Sequence, residues 1–103
     1  MYGLINKLNA VPGKRAELSA ILLDASGGMA GCQSYIIAED AKDPDALWVT
    51  EVWDSKESHM ASLQTPSVKA AIAKGRPFVA GFGNQTETKP LGGHGLRVPL
   101  MRS

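Results

Sequence analysis

The first third of the chain changes from a strand-like to a helix-like spacing of apolar residues. Apolar and polar positions alternate from Tyr2 to Ala10, and the Pro12-Gly13 pair closes the run, which predicts a strand followed by a turn. From Lys14 the apolar residues follow the spacing of one helical face, and Gly27-Gly28 ends the pattern. The predicted face consists of Leu18, Ile21, Leu22, Ala25 and Met29.

Two further strands follow, separated by a polar loop. Cys32–Glu39 predicts the second strand and Ala46–Trp53 the third, with turn-forming residues at 40–45 between them. The third strand, ALWVTEVW, carries large apolar side chains on both faces. A strand of this kind needs cover on both sides, which is typical of a central strand.

The next segment predicts helix and then a last strand. Asp54-Ser55 with Glu57 predicts a capped helix running to Leu63, and Thr65-Pro66 predicts a second cap with proline at the first helical position. Arg76-Pro77 ends the helix, and the alternation at Phe82–Lys89 predicts an edge strand.

The element order β-α-β-β-α-β predicts an α+β, ferredoxin-like sandwich, in which an antiparallel sheet carries its helices on one face. The other face of the sheet then needs a cover, and the simplest one is the same face of a second copy. We therefore expect a homodimer that forms a dimeric α+β barrel. Residues 1–89 make the domain, and residues 90–103 form a tail that is flexible or packs on the partner subunit.

Composition narrows the possible partners and the compartment. The chain has 103 residues, a formal net charge of +1 and no cluster of either sign, so nucleic acid is not an expected partner. No apolar run approaches the roughly 18 residues of a membrane span, so we expect no membrane either. The first residues do not resemble a signal peptide, and we expect a cytoplasmic protein. Cys32 has no second cysteine to bond to and is interpreted as a small buried hydrophobe.

The sequence contains no recognisable site for a metal or a nucleotide. His59 and His94 lie far apart, and neither has another His or Cys at ligand spacing, so no metal is expected. The glycines of residues 92–95 follow the last strand and do not open a helix, so a phosphate-binding turn is not expected either. We expect no cofactor by either route.

Six polar or aromatic residues are expected to gather between the sheet and the helices: Asn6, Tyr35, Trp48, Trp53, His59 and Arg76. Asn6 is in phase with Leu4 and Leu8, so its amide faces an apolar surface, where an unpartnered amide costs about 1–3 kcal/mol. It therefore either binds a ligand or bonds to the backbone. Trp48 and Trp53 are an odd number of positions apart on one strand, so one faces the dimer seam and the other the helices.

His59 and Arg76 are the candidates for handling protons and charge. His59 lies at the border of the apolar helix face, before Met60 and four positions before Leu63. Imidazole changes charge near neutral pH, so His59 is the candidate base for a phenolic substrate, and a solvated surface histidine is the alternative. Arg76, before Pro77, either holds an anionic oxygen or interacts with the helix C-terminus.

One stretch of the chain resembles a known family. The residues TEVWDSKESHMASLQTPSVKAAIAKGRPFV are similar to the signature of the antibiotic biosynthesis monooxygenase domain, particularly its small quinol-monooxygenase-like members. The likeness covers nearly the whole chain and rests on a few short motifs. These are Pro12-Gly13-Lys14, Gly31-Cys32, Glu51-x-Trp53, and Leu63-Gln64-Thr65-Pro66 followed by Lys69.

The resemblance implies the fold, the chemistry and a set of site residues. Active members of the family form dimeric α+β barrels and oxygenate hydroquinones or polyketide phenols without flavin, haem or metal. Removal of the phenol proton makes the ring electron-rich enough to react with O2, so the protein supplies a base, a dry pocket and orientation. Trp53 corresponds to the strand-end Trp of polyketide oxygenases, and His59 falls where they place a Tyr. With His59 as base, Trp53 and Tyr35 form ring walls, while Asn6 and Arg76 orient oxygen atoms.

The sequence departs from the family pattern at positions that bear on activity. The Asn four residues before the Trp is Val49 here, and the histidines flanking the Thr-Pro of quinol-type members are Ser62 and Ser67. Haem-degrading relatives share the first-strand Asn, but their iron ligand and nearby Trp correspond to Ile72 and Ser62, which disfavours haem. Two alternatives therefore stay open: a ligand-binding dimer without turnover, and an isomerase or degrading enzyme for a small oxygenated metabolite.

Overall fold

The computed structural model of the chain describes residues 1–97, which form a four-stranded sheet and three α-helices. The elements in chain order are β1 (Tyr2–Ala10), α1 (Arg15–Ala25), β2 (Cys32–Glu39), β3 (Ala46–Trp53), α2 (Lys56–Ser62), α3 (Pro66–Gly75) and β4 (Val79–Thr88). A short 3-10 turn at Arg76–Phe78 leads into β4. The predicted α+β ferredoxin-like fold is confirmed, with the second helical region divided into two helices.

Side-chain caps explain where the two shorter helices begin. The Ser55 hydroxyl accepts a hydrogen bond from the backbone N–H of Ser58 at 3.1 Å and caps α2. The predicted cap at Asp54-Ser55 is confirmed at Ser55. The predicted capping box with Glu57 is wrong, because Glu57 is two residues after this cap and not three. For α3 the prediction is confirmed, since Thr65 caps the helix and Pro66 is its first residue.

The strands pair antiparallel in the order β2-β3-β1-β4. β3 is a central strand, as predicted, and β4 lies at an edge. The predicted start of β4 at Phe82 is three residues late, because Val79 already pairs with Ala10 on β1. The strand ends at Thr88, one residue before the predicted end.

The helices cover one face of the sheet. Leu8 on β1 and Leu47 on β3 are register partners on this face, and they pack with Leu18 of α1, which is 1% exposed. At Gly75 a Cβ atom would lie 3.4 Å from a Leu18 methyl group, so glycine lets α3 approach α1 closely. This helix-covered face is where the candidate site forms.

The opposite face of the sheet carries apolar side chains that no described helix covers. Ile5 and Ile36 are 37% and 58% exposed there, and Trp48 is half-buried. We name this surface the open face. This is the face that a second copy is expected to cover.

The described part of the tail leaves β4 at one edge of the sheet and reaches β2 at the other. The backbone N–H of Arg97 donates a hydrogen bond of 2.7 Å to the Gln33 carbonyl oxygen on β2. The tail thus contacts its own domain at this point. The rest of the predicted tail, residues 98–103, lies outside the described residues. Among residues 1–97, no helix is long and apolar enough to cross a membrane.

Candidate active site

A buried carboxylate lies at the centre of the candidate site. Glu51 points to the helix-covered face in phase with Val49 and Trp53, and only 7% of it is exposed. Its Oε1 accepts a hydrogen bond of 2.9 Å from Trp53 Nε1, and its Oε2 accepts a longer one of 3.5 Å from Asn6 Nδ2. An acidic group in this position is costly to keep unless it has such partners.

His59 approaches the same carboxylate from above the sheet. The first turns of α2 bring its Nε2 to 3.7 Å from Glu51 Oε1, and the His59 side chain is 15% exposed. Its ring lies edge-on to Trp53 at a centroid distance of 5.3 Å and tilted against Tyr2 at 5.7 Å. We refer to Asn6, Glu51, Trp53 and His59 as the acid cluster.

The loop before β2 fixes how closely α2 sits on the sheet. Gly31 has a positive φ of 82°, a conformation that favours glycine. A Cβ atom there would lie 2.6 Å from the Ser58 side chain and 2.8 Å from Asp54 Oδ1. Glycine at this position therefore lets the turn that carries His59 come down to the acid cluster.

Burial dominates the electrostatics of the cluster. It raises the pKa of Glu51, against the opposing effects of the Trp53 hydrogen bond and of the nearby His59 charge. The other ring nitrogen of His59, Nδ1, is buried and has no hydrogen-bond partner among residues 1–97. A polar atom in this state can accept or donate a proton to a group brought beside it.

Tyr2 closes the outer side of the cluster. Its hydroxyl donates a hydrogen bond of 2.6 Å to Glu87 Oε2, and Lys56 Nζ lies 3.3 Å from the same oxygen. That hydrogen bond raises the pKa of Tyr2 to about 12. Tyr2 therefore stays protonated and covers His59 as a neutral ring.

A cavity of about 520 Å³ lies between α1, α3 and the sheet. Its wall is almost entirely apolar, with residues such as Leu8, Leu22 and Phe82, and a volume of this size suits a ligand with one or more rings. Two polar side chains, Tyr35 and Arg76, also line it. Burial raises the pKa of Tyr35, so its hydroxyl remains a neutral donor.

The cavity and the acid cluster are neighbours on the same face. Tyr35, in the cavity wall, is the register partner of Glu51, and the Glu51 charge also contributes to raising the pKa of Tyr35. Leu8, another residue of the cavity wall, also lies close to Glu51 along the strands. On this face, only one register pair, Val49 and Asn6, separates the pair that contains Leu8 from the pair that contains Glu51. The two regions thus lie on the same face of the sheet, and Tyr35 connects them, although no residue of the acid cluster lines the cavity itself.

The structure divides the residues predicted from sequence among three places. Asn6, Trp53 and His59 come together around Glu51, while Tyr35 and Arg76 line the cavity. The expectation that Trp48 lies between sheet and helices is wrong. Its alternation on β3 places it on the open face, where Nε1 donates a hydrogen bond of 2.8 Å to Asp40 Oδ2.

Sequence reasoning missed Glu51 as a site residue. The signal was its phase on β3, since it alternates with Leu47, Val49 and Trp53, all of which are buried. Asn6, for which ligand and backbone were the two expected partners, instead contacts this carboxylate.

The fold and the site define an α+β protein with a small-molecule cavity, and comparison with known proteins identifies its family. The antibiotic biosynthesis monooxygenase family model matches residues 1–74. The chain therefore belongs to the antibiotic biosynthesis monooxygenase family, which confirms the resemblance seen in the sequence.

Solved structures extend this comparison. A protein from Chloroflexus aurantiacus, provisionally named an antibiotic biosynthesis monooxygenase, is 58% identical, with a TM-score of 0.90 over 92% of this chain and 97% of that one. Proteins from Caulobacter crescentus and Deinococcus radiodurans with the same provisional name share the fold at 23% and 24% identity, with TM-scores of 0.80 and 0.75. The match with the Caulobacter crescentus protein covers 88% of this chain and 90% of that one. The match with the Deinococcus radiodurans protein covers 99% of this chain and 100% of that one. No curated protein matches the sequence.

Proposed function

We propose that this protein is a cofactor-independent monooxygenase that oxidises a small quinol or phenol with O2. The observation that carries the proposal is the buried Glu51–His59 pair, 3.7 Å apart, on the same sheet face as an apolar cavity of about 520 Å³ that reaches Tyr35, the register partner of Glu51. Family membership and the name of the Chloroflexus aurantiacus protein support the general class of reaction.

The reaction needs a base and a site without bulk water. His59 takes the proton of a substrate hydroxyl, and the resulting phenolate carbon reduces O2 and bonds to one of its oxygen atoms. His59 returns its proton to the peroxide, and the O–O bond of the resulting hydroperoxide breaks as the same ring carbon loses its C–H proton. The second oxygen leaves as water, which carries both protons. For a hydroquinone, the ring supplies all four electrons, and the products are a hydroxyquinone and one water molecule.

The other residues position the substrate. The apolar wall excludes water from the reacting ring, which favours reaction of the phenolate with O2. Tyr35 donates a hydrogen bond to a substrate oxygen, and Arg76, at the exposed end of the cavity, interacts with an anionic one. Asn6 and Trp53 hold Glu51 next to His59.

Oxygen uptake with a panel of substituted hydroquinones tests the proposal. We expect protein-dependent uptake above autoxidation, with stoichiometric formation of the hydroxyquinone, in protein shown by elemental analysis and absorbance to be free of metal and flavin. His59→Gln should lower the rate by roughly 10²-fold or more. His94→Gln makes the same chemical change on the exposed part of the tail and should leave the rate unchanged. Equal rates in the two variants would exclude His59 as the base.

A ligand-binding dimer without turnover is the second candidate. Buried, apolar Val49 stands where polyketide oxygenases have an Asn, so one polar contact of those enzymes is missing from this site. In that case, phenols would raise the melting temperature without oxygen uptake or product. Loss of a metabolite without oxygen uptake would instead support an isomerase or degrading enzyme.

The proposed assembly is a homodimer that pairs through the open face. Ile5 and Ile36 are exposed there beside the half-buried Trp48, and a matching face on a second copy would remove all three from water. A twofold pairing of two such sheets gives the closed barrel expected from the sequence.

A further inference from the structure

We propose that Glu51 is the positioning residue of His59: the two lie at an ion-pair distance of 3.7 Å, and Glu51 balances the charge of His59 when it holds the substrate proton. The pairing rests on geometry alone, while its catalytic consequence rests on the proposed function. Glu51 itself does not line the cavity.

The contacts of Glu51 fix its orientation toward His59. Trp53 Nε1 binds Oε1, the same oxygen that His59 Nε2 approaches, and Asn6 Nδ2 reaches the other oxygen. Trp53 lies on β3, like Glu51 itself, and Asn6 lies on the neighbouring strand β1. The carboxylate therefore cannot rotate away without losing both hydrogen bonds. The rigid sheet therefore determines where the imidazole is held.

Among residues 1–97, His59 is the group within ion-pair distance of Glu51 that can carry a positive charge. β2 presents Tyr35 and Cys32, whose pKa values are both raised by burial, and β1 presents Tyr2, which stays neutral. From α2, His59 is the basic group in contact. The Lys56 ammonium pairs with Glu87 at 3.3 Å and lies 5.8 Å from the centre of the Tyr2 ring.

This arrangement explains how a base can work in an apolar site. An imidazolium buried without a counter-charge is strongly disfavoured, so a lone histidine there would be a poor proton acceptor. A carboxylate at ion-pair distance stabilises the charged ring and weakens this penalty. Glu51 would thus make proton transfer from a phenol to His59 favourable.

Two indole N–H groups of the chain report separately on two carboxylates. Trp53 Nε1 binds Glu51 and Trp48 Nε1 binds Asp40, so each indole proton shift follows the protonation of its own acid. In a pH titration by ¹H–¹⁵N NMR, we expect the Trp53 signal to inflect at higher pH than the Trp48 signal. His59→Gln removes the positive charge and should move the Trp53 inflection to still higher pH. The Trp48 inflection should stay in place, and His94→Gln should move neither.

A Trp53 inflection that is the same in wild type and His59→Gln would overturn the pairing, whatever the activity. A shift in that inflection without oxygen uptake by wild-type protein would support the pairing and contradict the proposed function instead. The two failures are therefore distinguishable.

The catalytic consequence is measured with Glu51→Gln and Glu51→Asp. Glutamine keeps the shape and removes the charge, so we expect kcat to fall by roughly 10²-fold with KM nearly unchanged. Aspartate keeps the charge one methylene further away and should recover part of that loss. The acidic limb of the pH–rate profile, where a general base is lost by protonation, should also change in Glu51→Gln. A glutamine variant with a wild-type rate and profile would exclude the positioning role.

Discussion

Trp48 and Trp53 lie on opposite faces of β3, and each donates its indole N–H to a carboxylate. The two acids respond in opposite ways. Hydrogen bonds from the Asp43 N–H, the Trp48 indole and the Lys42 N–H hold the pKa of Asp40 well below its usual range. Burial instead raises the pKa of Glu51, although Trp53 bonds to it. One carboxylate is thus poised to stabilise the fold and the other to exchange a proton.

The Asp40 contacts predict how stability depends on pH. Because the pKa of Asp40 is lower in the folded than in the unfolded chain, its ionised form stabilises the fold above the ordinary Asp pKa of about 3.9. This contribution is lost as the pH falls below that value. Asp40→Asn should therefore lower the urea midpoint at pH 7, and the difference from wild type should shrink below about pH 4. Asp24→Asn, on exposed helix surface, should show no such dependence.

The packing of α1 on the sheet predicts a large effect at one leucine. Leu18 is 1% exposed and contacts the core beside Leu47, whereas Leu23 on the same helix is 59% exposed. Leu18→Ala should cost about 2–5 kcal/mol of unfolding free energy, because it removes buried methyl groups and leaves a cavity. Leu23→Ala should change it by less than about 0.5 kcal/mol. Equal losses in denaturant unfolding would contradict the assigned core.

The open face predicts the oligomeric state. Ile36→Lys places a charge in the proposed dimer seam, so sedimentation at micromolar concentration should show monomers where wild type shows dimers. Leu23→Lys is the matched control, because Leu23 is exposed to nearly the same degree, 59% against 58%, but lies on the helix side. A monomeric wild type, or dissociation by both variants, would exclude pairing through this face.

The cavity predicts a variant that blocks ligand binding without touching the acid cluster. Ala71 lines the cavity from α3, and Ala71→Phe fills part of its 520 Å³. The rise in melting temperature caused by an apolar phenol should disappear in this variant. Ala73→Phe puts the same ring on exposed helix surface and should keep the response. Undiminished stabilisation of Ala71→Phe would place the ligand elsewhere.

Much of the fold follows from short-range patterns in the sequence. β2 and β3 have the predicted bounds because turn-forming residues delimit both of them. The start of β4 was predicted late because its first residues gain their pairing from distant Ala10, which no local pattern reports. Local sequence patterns thus predict where most elements lie, but they do not predict which residues pair over long distances in the chain.

The site was less predictable for the same reason. His59 and Asn6 were recognised as polar residues at apolar faces, but Glu51, the residue that both of them contact, was not predicted as a site residue. A glutamate on a strand usually faces solvent, and the burial of Glu51 depends on α2 folding over it from the following segment. Trp48 and Trp53 lie on opposite faces of β3 as their spacing predicts, but only the register shows that Trp48 is the one on the open face and not among the helix-side residues.

The acid cluster and the cavity occupy the helix side of a single-layer sheet, and the apolar patch suited to pairing occupies the reverse side. In the proposed dimer, each polypeptide would therefore carry a candidate site of its own. A heterodimer of one wild-type and one His59→Gln subunit would keep half the turnover of the wild-type dimer, with hyperbolic saturation by substrate. Two differently inactivated subunits would not restore each other's activity.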